Sequence, residues 1–452
     1  MRRLAGGLAA AAMLAFAVPA AAQTAEQIDF LVTGVGAKLG CSGVFVSGRT
    51  LEAATGDAET LLGPLGGGVD YAVNGEARSV QAARGGITRT AYYRDGLGCT
   101  LSIDGSAPAA QADPRSEGVA TDWVMAERGD AAALAEALDA AFPATPGVDT
   151  RAFIVLHDGQ IIAERYAPGF SAETPLLGWS MSKSVVATLI GMLVDDGRLS
   201  LDDTFEMPGW GEGDPRRAIT LEQLLHMSSG LAFSETYAGA DDSTIMLFAQ
   251  PDMAAYAASR PLEHGPGEVW SYSSGTTLIL SRILVETLGG PEATQAFAHE
   301  RLFGPAGMTG AVMEQDVAGT PVGSSYVYAT ARDWARFGLL YAQGGEISGQ
   351  RLISGTWADY VREPAPAAAD EDYGTQFWLN GWMDGRRTTR SFPELPGDTF
   401  YASGHNGQTV MIIPSLDVVV VRLGWTTGGA RYRLNAVVPP LLRALELLPA
   451  SE

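Results

Sequence analysis

The feature that most constrains this fold is where the strand-like pieces fall. "TRAFIVLHDGQIIAERYA", starting at Thr150, holds two apolar strands joined at Asp158-Gly159, a dipeptide that suits a tight hairpin turn. Near the far end, "QTVMIIP" and "LDVVVVRLGW" repeat the pattern, with Pro414 to Asp417 as the turn. Helix-like stretches fill the middle. "VVATLIGMLVDDGRL" stops near Gly197, and "TLEQLLHMSSGL" closes at Gly230. "TARDWARFGLLYAQGG" opens with Thr330 and Asp333 at capping-box spacing, Asp standing for the usual Glu. A last helix, "VVPPLLRALELL", closes the chain. Strands at both ends joining into one antiparallel sheet, with helices between, predict an α+β fold: a sheet flanked by helices with an inserted helical domain. The sequence shows no internal repeats.

Ahead of this lies material of different character. Arg2 and Arg3, the apolar run Leu4 to Val18 and Ala20-Ala21-Ala22 read as a signal peptide cleaved after Ala22. The run is shorter than the ~20 residues a membrane span needs. No later segment reads as a span, so no stable membrane insertion is expected after cleavage, and the protein is expected to be periplasmic or secreted. No cysteine follows the cleavage site, which argues against a lipoprotein. Residues 23–119 are read as a small β-rich N-terminal region, from "CSGVFVSGRT", "ITRTAYYRD" and "CTLSIDG" separated by stretches such as "GPLGGGVD". Cys41 and Cys99 are the only cysteines, and an oxidising compartment predicts a disulfide between them; the alternative is two separate buried thiols. "SAPAAQADPRSEG" reads as a linker and "DAAALAEALDAAF" as an amphipathic helix. The main domain is placed at residues 120–452.

At 452 residues the chain is long enough for two domains, and with 46% hydrophobic and 18% charged residues it is globular. The formal net charge of −22 disfavours nucleic acid or an anionic lipid surface as partner. His157, His226, His264 and His299 are scattered without metal-ligand spacing, and the cysteines do not form a zinc pattern. There is no phosphate loop, dinucleotide fingerprint or G-x-S-x-G elbow. Neither a metal nor a cofactor is expected.

Basic residues are 28 arginines and only 2 lysines, Lys38 and Lys183. Lys183 sits in "GWSMSKS", just before a helix-like run. On a helix, Ser180 and Lys183 share one face. A lysine can lose its proton when desolvated, whereas an arginine cannot, and a neutral amine beside a hydroxyl activates a serine nucleophile. Ser180 would also stand at a helix start, where free backbone N–H groups suit a developing oxyanion. The bland alternative is a surface lysine behind an N-capping serine. "GEVWSYSSG" contains Tyr272-Ser273-Ser274. A nearby lysine can hold a tyrosine partly ionised, able to take the serine proton and return it to the leaving group; a core tyrosine is the alternative. In "SGHNGQTVMIIP", Gly404, His405, Asn406 and Gly407 precede an apolar strand. Glycines let a strand edge approach a ligand, so the next N–H, that of Gln408, is a candidate second oxyanion donor; a tight turn with an exposed His is the alternative.

Together, and in this order, Ser180-Met181-Ser182-Lys183, Tyr272-Ser273-Ser274 and His405-Asn406-Gly407 resemble the serine β-lactamase and penicillin-binding-protein superfamily. The likeness runs from about Thr150 to the C-terminus and is nearest to class C β-lactamase-like esterases and 6-aminohexanoate-dimer hydrolases. "YGTQFWL" supports it. The resemblance implies an active site between sheet and helical domain, with Ser180 as nucleophile, Lys183 as its activator and Tyr272 as general base. It places the oxyanion between the N–H groups of Ser180 and Gln408. Ser274 stands where many relatives carry Asn, and His405, Asn406 and Gly407 where β-lactamases carry Lys-Thr-Gly. Tyr237, in "SETY", matches a substrate-facing tyrosine of the dimer hydrolases, and Trp378 is a further candidate for shaping the cleft. A neutral His is a poor anion anchor, so these departures point away from β-lactam and D-alanyl carboxypeptidase chemistry. The expectation is an exported serine hydrolase cleaving a small-molecule ester or amide through an acyl-enzyme on Ser180. The alternatives are a penicillin-binding protein, DD-peptidase or β-lactamase, and a non-catalytic binding protein on the same fold.

Overall fold

The computed structural model describes residues 24–115, 122–237 and 239–450. The targeting segment read at Met1 to Ala22 lies outside them.

The N-terminal region opens with two helices, α1 (Ala25–Phe45) and α2 (Leu51–Leu62), before its sheet. The sheet is antiparallel, in the order β1 (Asp70–Asn74), β2 (Ser79–Arg84), β3 (Ile87–Arg94), β4 (Gly98–Leu101). This corrects the β-leaning reading of "CSGVFVSGRT": Cys41 to Phe45 form the last turn of α1. Burial decides the conformation there. Residues Val32 to Gly43 are all buried, and glycines along the helix let neighbours close in. A Cβ on Gly43 would lie 2.4 Å from that of Ala54 in α2. By length and composition α1 could also cross a membrane, contrary to the expectation that no later segment could. It is instead mostly buried inside the protein. Cys41 and Cys99 are disulfide-bonded, with Cα atoms 6.1 Å apart, tying α1 to β4. Val35, Leu39, Val80 and Ala91 belong to the same core as Leu176, Trp179 and Met181, so this region packs continuously with the rest.

After α3 (Ala131–Ala141) comes the hairpin β5 (Thr150–His157) and β6 (Gln160–Tyr166). Its turn residues Asp158 and Gly159 both have positive φ, 49° and 71°, as a two-residue hairpin of this kind requires. The middle of the chain supplies β7 (Leu176–Leu177), α4 (Ser182–Asp195), α5 (Leu221–Leu225), α6 (Asp242–Ala249), α7 (Met253–Ala258), α8 (Ser274–Leu288) and α9 (Pro291–Ala298). β8 (Val312–Met313), β9 (Val327–Ala329), α10 (Ala331–Ala342), β10 (Glu346–Ile347), β11 (Gln350–Arg351) and α11 (Gly355–Tyr360) follow. The chain ends with β12 (Trp378–Leu379), β13 (Phe400–Gly404), β14 (Gln408–Ile413), β15 (Val418–Gly424) and α12 (Val438–Ala444). α5 is shorter than the sequence suggested: it ends at Leu225, and Met227 has φ of 56°. The Thr330/Asp333 capping box of α10 forms.

The two ends of the chain meet in one six-stranded antiparallel sheet, β12-β13-β14-β15-β5-β6, in which Val420 pairs with Val155. Both faces are covered. Phe153, Val155, Met411, Val418 and Val420 pack with Leu441 and Leu442 of α12 and Ala137 of α3. Ile154, Leu156, Val410, Ile412, Val419 and Val421 face α10. Alternate residues point to opposite faces, so a run of four valines is what a strand buried on both sides needs. Gly338 lets α10 lie against the sheet, since a Cβ there would sit 2.5 Å from Val419 Cγ1.

Candidate active site

Ser180 lies in a 3-10 turn, Trp179 to Met181, that leads into α4. Trp179 has φ of 47°, a left-handed conformation that costs on the order of 1–3 kcal/mol in a bulky residue. Its indole is held among Tyr326, His405 and Trp425, with ring centroids 6.3, 5.7 and 6.1 Å away.

Lys183 is buried, 1% exposed. Its ammonium group donates to Ser180 Oγ at 3.2 Å, Ser274 Oγ at 2.9 Å and the Ser324 carbonyl at 3.0 Å. Two hydroxyls and a carbonyl are weak compensation for a buried charge. Burial pulls the pKa of Lys183 down to about 8, against an opposing pull from the Glu235 charge.

Tyr272 stacks on Trp378, with centroids 5.5 Å apart, and its ring centre lies 4.9 Å from Lys183 Nζ. The expectation that the lysine holds this phenol partly ionised is not met. Burial, and then the Glu235 carboxylate, push its pKa well above the ordinary value, and its hydrogen bond with Ser180 offsets them only in part. Tyr272 is therefore a neutral phenol beside the Ser180 hydroxyl.

Glu235 was not singled out from the sequence, although it stands two residues before Tyr237 in the quoted "SETY". Its carboxylate accepts the Ser274 backbone N–H at 2.5 Å and the Ser274 hydroxyl at 2.8 Å, and the Tyr237 hydroxyl at 2.6 Å. Ser274 is the first residue of α8, where a free N–H and the helix dipole favour an anion. A chain of contacts thus runs from Ser180 through Lys183 and Ser274 to Glu235 and Tyr237. Tyr237 is 44% exposed and lies at the rim.

His405, Asn406 and Gly407 form the turn of the β13–β14 hairpin, with Asn406 and Gly407 at φ of 61° and 86°. His405 is not an exposed turn residue. It is half-buried between Trp179 and Tyr237, the latter ring 4.8 Å away, and burial lowers its pKa, so it is neutral at pH 7. Arg422 of β15 was also missed from the sequence. It is fully buried, and Nη1 donates to the carbonyls of Asn406 at 3.0 Å and Gly407 at 2.9 Å. A trans peptide sets its N–H opposite its C=O, so the Gln408 N–H points away from Arg422. The Gln408 side chain is committed elsewhere: it donates to the carbonyls of His405 and Gly424 and accepts the Gly424 N–H. Gly404 abuts the turn before Ser180, since a Cβ there would lie 2.2 Å from the Gly178 carbonyl oxygen.

A cleft of about 1010 Å³ opens beside these residues, lined by Trp179, Tyr237 and Gly404 to Gly407 and, across from them, by α1 and α2. Among the described residues no group of three or more His, Cys, Asp or Glu side chains could hold a metal.

An antiparallel sheet flanked by helices, built from both ends of the domain, is the fold of the serine β-lactamase and penicillin-binding-protein superfamily. The chain belongs to the β-lactamase family, whose model matches residues 135–436. It is 26% identical over 309 residues to a 6-aminohexanoate-dimer hydrolase of Paenarthrobacter ureafaciens, covering 63% of this chain and 74% of that one. It is 26% identical over 315 residues to penicillin-binding protein 4 of Amycolatopsis lactamdurans, covering 61% and 76%. A solved structure from Bacillus anthracis, titled as a 6-aminohexanoate-dimer hydrolase, superposes with a TM-score of 0.58 at 22% identity, over 74% of this chain and 90% of that one.

Proposed function

We propose that this protein is an exported serine hydrolase that cleaves an ester or amide through an acyl-enzyme on Ser180. The observation that carries this is the buried amine of Lys183 against Ser180 Oγ, in a setting that lowers its pKa to about 8. Neutral Lys183 takes the Ser180 proton as Oγ attacks the carbonyl carbon. The N–H groups of Ser180 and Gln408 receive the oxyanion. Tyr272 passes its phenolic proton to the leaving oxygen or nitrogen as that bond breaks, and recovers a proton from the Lys183 ammonium. The acyl group stays on Ser180 until water attacks it, giving a proton to the same pair, which passes that proton to Ser180 Oγ as the acyl–oxygen bond breaks and the acid leaves. This departs from a tyrosinate base: the lysine is the base and the tyrosine relays the proton.

The surroundings favour a substrate without a negative charge. His405 is neutral, and the carboxylate of Glu235 sits among the site residues. This supports the esterase and amidase reading over β-lactam or peptidoglycan carboxylates, and the relative named as a dimer hydrolase agrees with amide cleavage, though its named substrate carries a carboxylate. Export rests on the pattern from Met1 to Ala22 and on the Cys41–Cys99 disulfide. Hydrolysis of p-nitrophenyl butyrate by the mature protein tests the reading. Activity that disappears in Ser180→Ala and Lys183→Arg is expected; activity retained in Ser180→Ala contradicts it.

A further inference from the structure

We propose that α1 and α2 form the acyl-selecting wall of this enzyme and that its substrate carries an uncharged, apolar acyl group of medium length; the inference rests on Ser180 being the nucleophile proposed above. Ile28, Leu31, Val32 and Val35 recur at the spacing of one helical face, and that face of α1 lines the cleft. Leu61 and Leu62, at the end of α2, extend it. The opposite wall adjoins the candidate site through Trp179, the residue before Ser180, and through Tyr237 and His405. With a volume of about 1010 Å³, the cleft stands at the upper end of the ~300–1,000 Å³ usual for small-molecule sites. An acetyl group would leave most of it empty.

Among the described residues no acidic side chain lines this cleft, and the one permanently charged lining residue, Arg431, is exposed to solvent. Two buried donors beside the reacting centre, Trp179 Nε1 and Asn406 Nδ2, have no hydrogen-bond partner, and both residues are in the lining. Unpartnered buried donors are rare, and these two suit the oxygen of an otherwise apolar group. The side of the scissile bond is also assigned. Gly404 to Gly407, beside the proposed oxyanion donor Gln408, line the cleft, and the oxyanion forms on the acyl carbonyl; Ser180, Lys183 and Tyr272 lie outside the lining. The space therefore belongs to the acyl side.

The wall is fixed in place. The Cys41–Cys99 disulfide ties α1 to β4. Lys38 of α1 is buried in an ion pair with Glu314, which also accepts from Ser42 at 2.8 Å. Arg89 of β3 donates to the Phe248 carbonyl at 3.1 Å, on the cleft side. A pre-ordered wall costs little ordering entropy when a ligand binds. The family match begins only at residue 135, so this wall is an addition to the matched domain.

The test compares kcat/KM for p-nitrophenyl acetate, butyrate and octanoate in the wild type, Leu62→Gln, Leu31→Gln and Leu31→Trp. Burying one methylene is worth about fourfold, so the octanoate-to-acetate ratio in the wild type is expected to exceed about tenfold. Each variant is expected to lower that ratio, the glutamines by making the wall polar and the tryptophan by filling the space. A ratio is insensitive to a uniform loss of folded enzyme, and Leu62 is half-buried, so its variant does not open the core. A flat wild-type series, or a ratio unchanged in all three variants, overturns this inference and leaves the hydrolase reading intact. Ester hydrolysis that persists in Ser180→Ala overturns the hydrolase reading, and the inference with it.

Discussion

Lys183 Nζ sits 3.2 Å from Ser180 Oγ, and its other two acceptors are the Ser274 hydroxyl and the Ser324 carbonyl. The cation is left with no carboxylate in contact among the described residues, and burial brings its pKa to about 8. Below that pH it is mostly an ammonium and cannot accept the serine proton. kcat/KM is therefore expected to rise with pH, with a midpoint near 8, and to level off above it. Lys183→Arg is expected to lose about 10²–10⁴-fold, the range for removing a general base. A pH–rate profile that falls across this interval would contradict the assignment.

Glu235 raises the Lys183 pKa through its charge while binding Ser274 and Tyr237. Glu235→Gln keeps an acceptor oxygen and removes the charge. Lys183 should then lose its proton more easily, and the rising limb of the profile should move to lower pH. A limb that stays in place, or moves to higher pH, would show that Glu235 acts only on the architecture.

Arg422 holds the carbonyls of Asn406 and Gly407 from inside the sheet, with further bonds to Thr150 and Thr426. A lysine cannot reproduce that fork. In Arg422→Lys the Gln408 N–H loses its fixed direction, and kcat is expected to fall by about 10²–10³-fold, as when one oxyanion donor is removed. KM should change much less, and the pH midpoint should not move. A variant that changes KM alone would refute this role.

The Cys41–Cys99 bond closes a loop with a sequence separation of 58, worth about 4 kcal/mol in the chain-entropy model. Both sulfurs are buried in the core shared with the main sheet. Cys41→Ser/Cys99→Ser is expected to lower the urea midpoint of the whole chain in one transition. A separate early transition, leaving the rest as stable as before, would show that residues 24–104 are an independent unit.

What could be read from the sequence was what has a local signature. Asp158-Gly159 announced its hairpin, and Thr330 with Asp333 announced the start of α10. The two apolar strand pairs announced a sheet built from both ends of the domain. α1 was hidden because its glycines and valines speak against a helix, whereas packing against α2 and β3 requires both. Arg422, in "VVVVRLGW", looks like an ordinary strand residue. Its importance comes from a turn that returns beside it in space, and no spacing reveals that. The rarity of lysine drew attention to Lys183, but Lys38 is equally buried and pairs with Glu314. Each lysine donates to a serine hydroxyl, Lys38 to Ser42 and Lys183 to Ser180; what separates a structural ion pair from a candidate base is the Glu314 carboxylate in contact with Lys38.

The most direct measurement is peptide mapping by mass spectrometry of the protein quenched in acid during turnover of a p-nitrophenyl ester. The expected result is one acyl adduct, on the peptide containing Ser180, that accumulates in Tyr272→Phe and is absent from Ser180→Ala. An adduct on another residue, or ester hydrolysis undiminished in Ser180→Ala, would contradict the account.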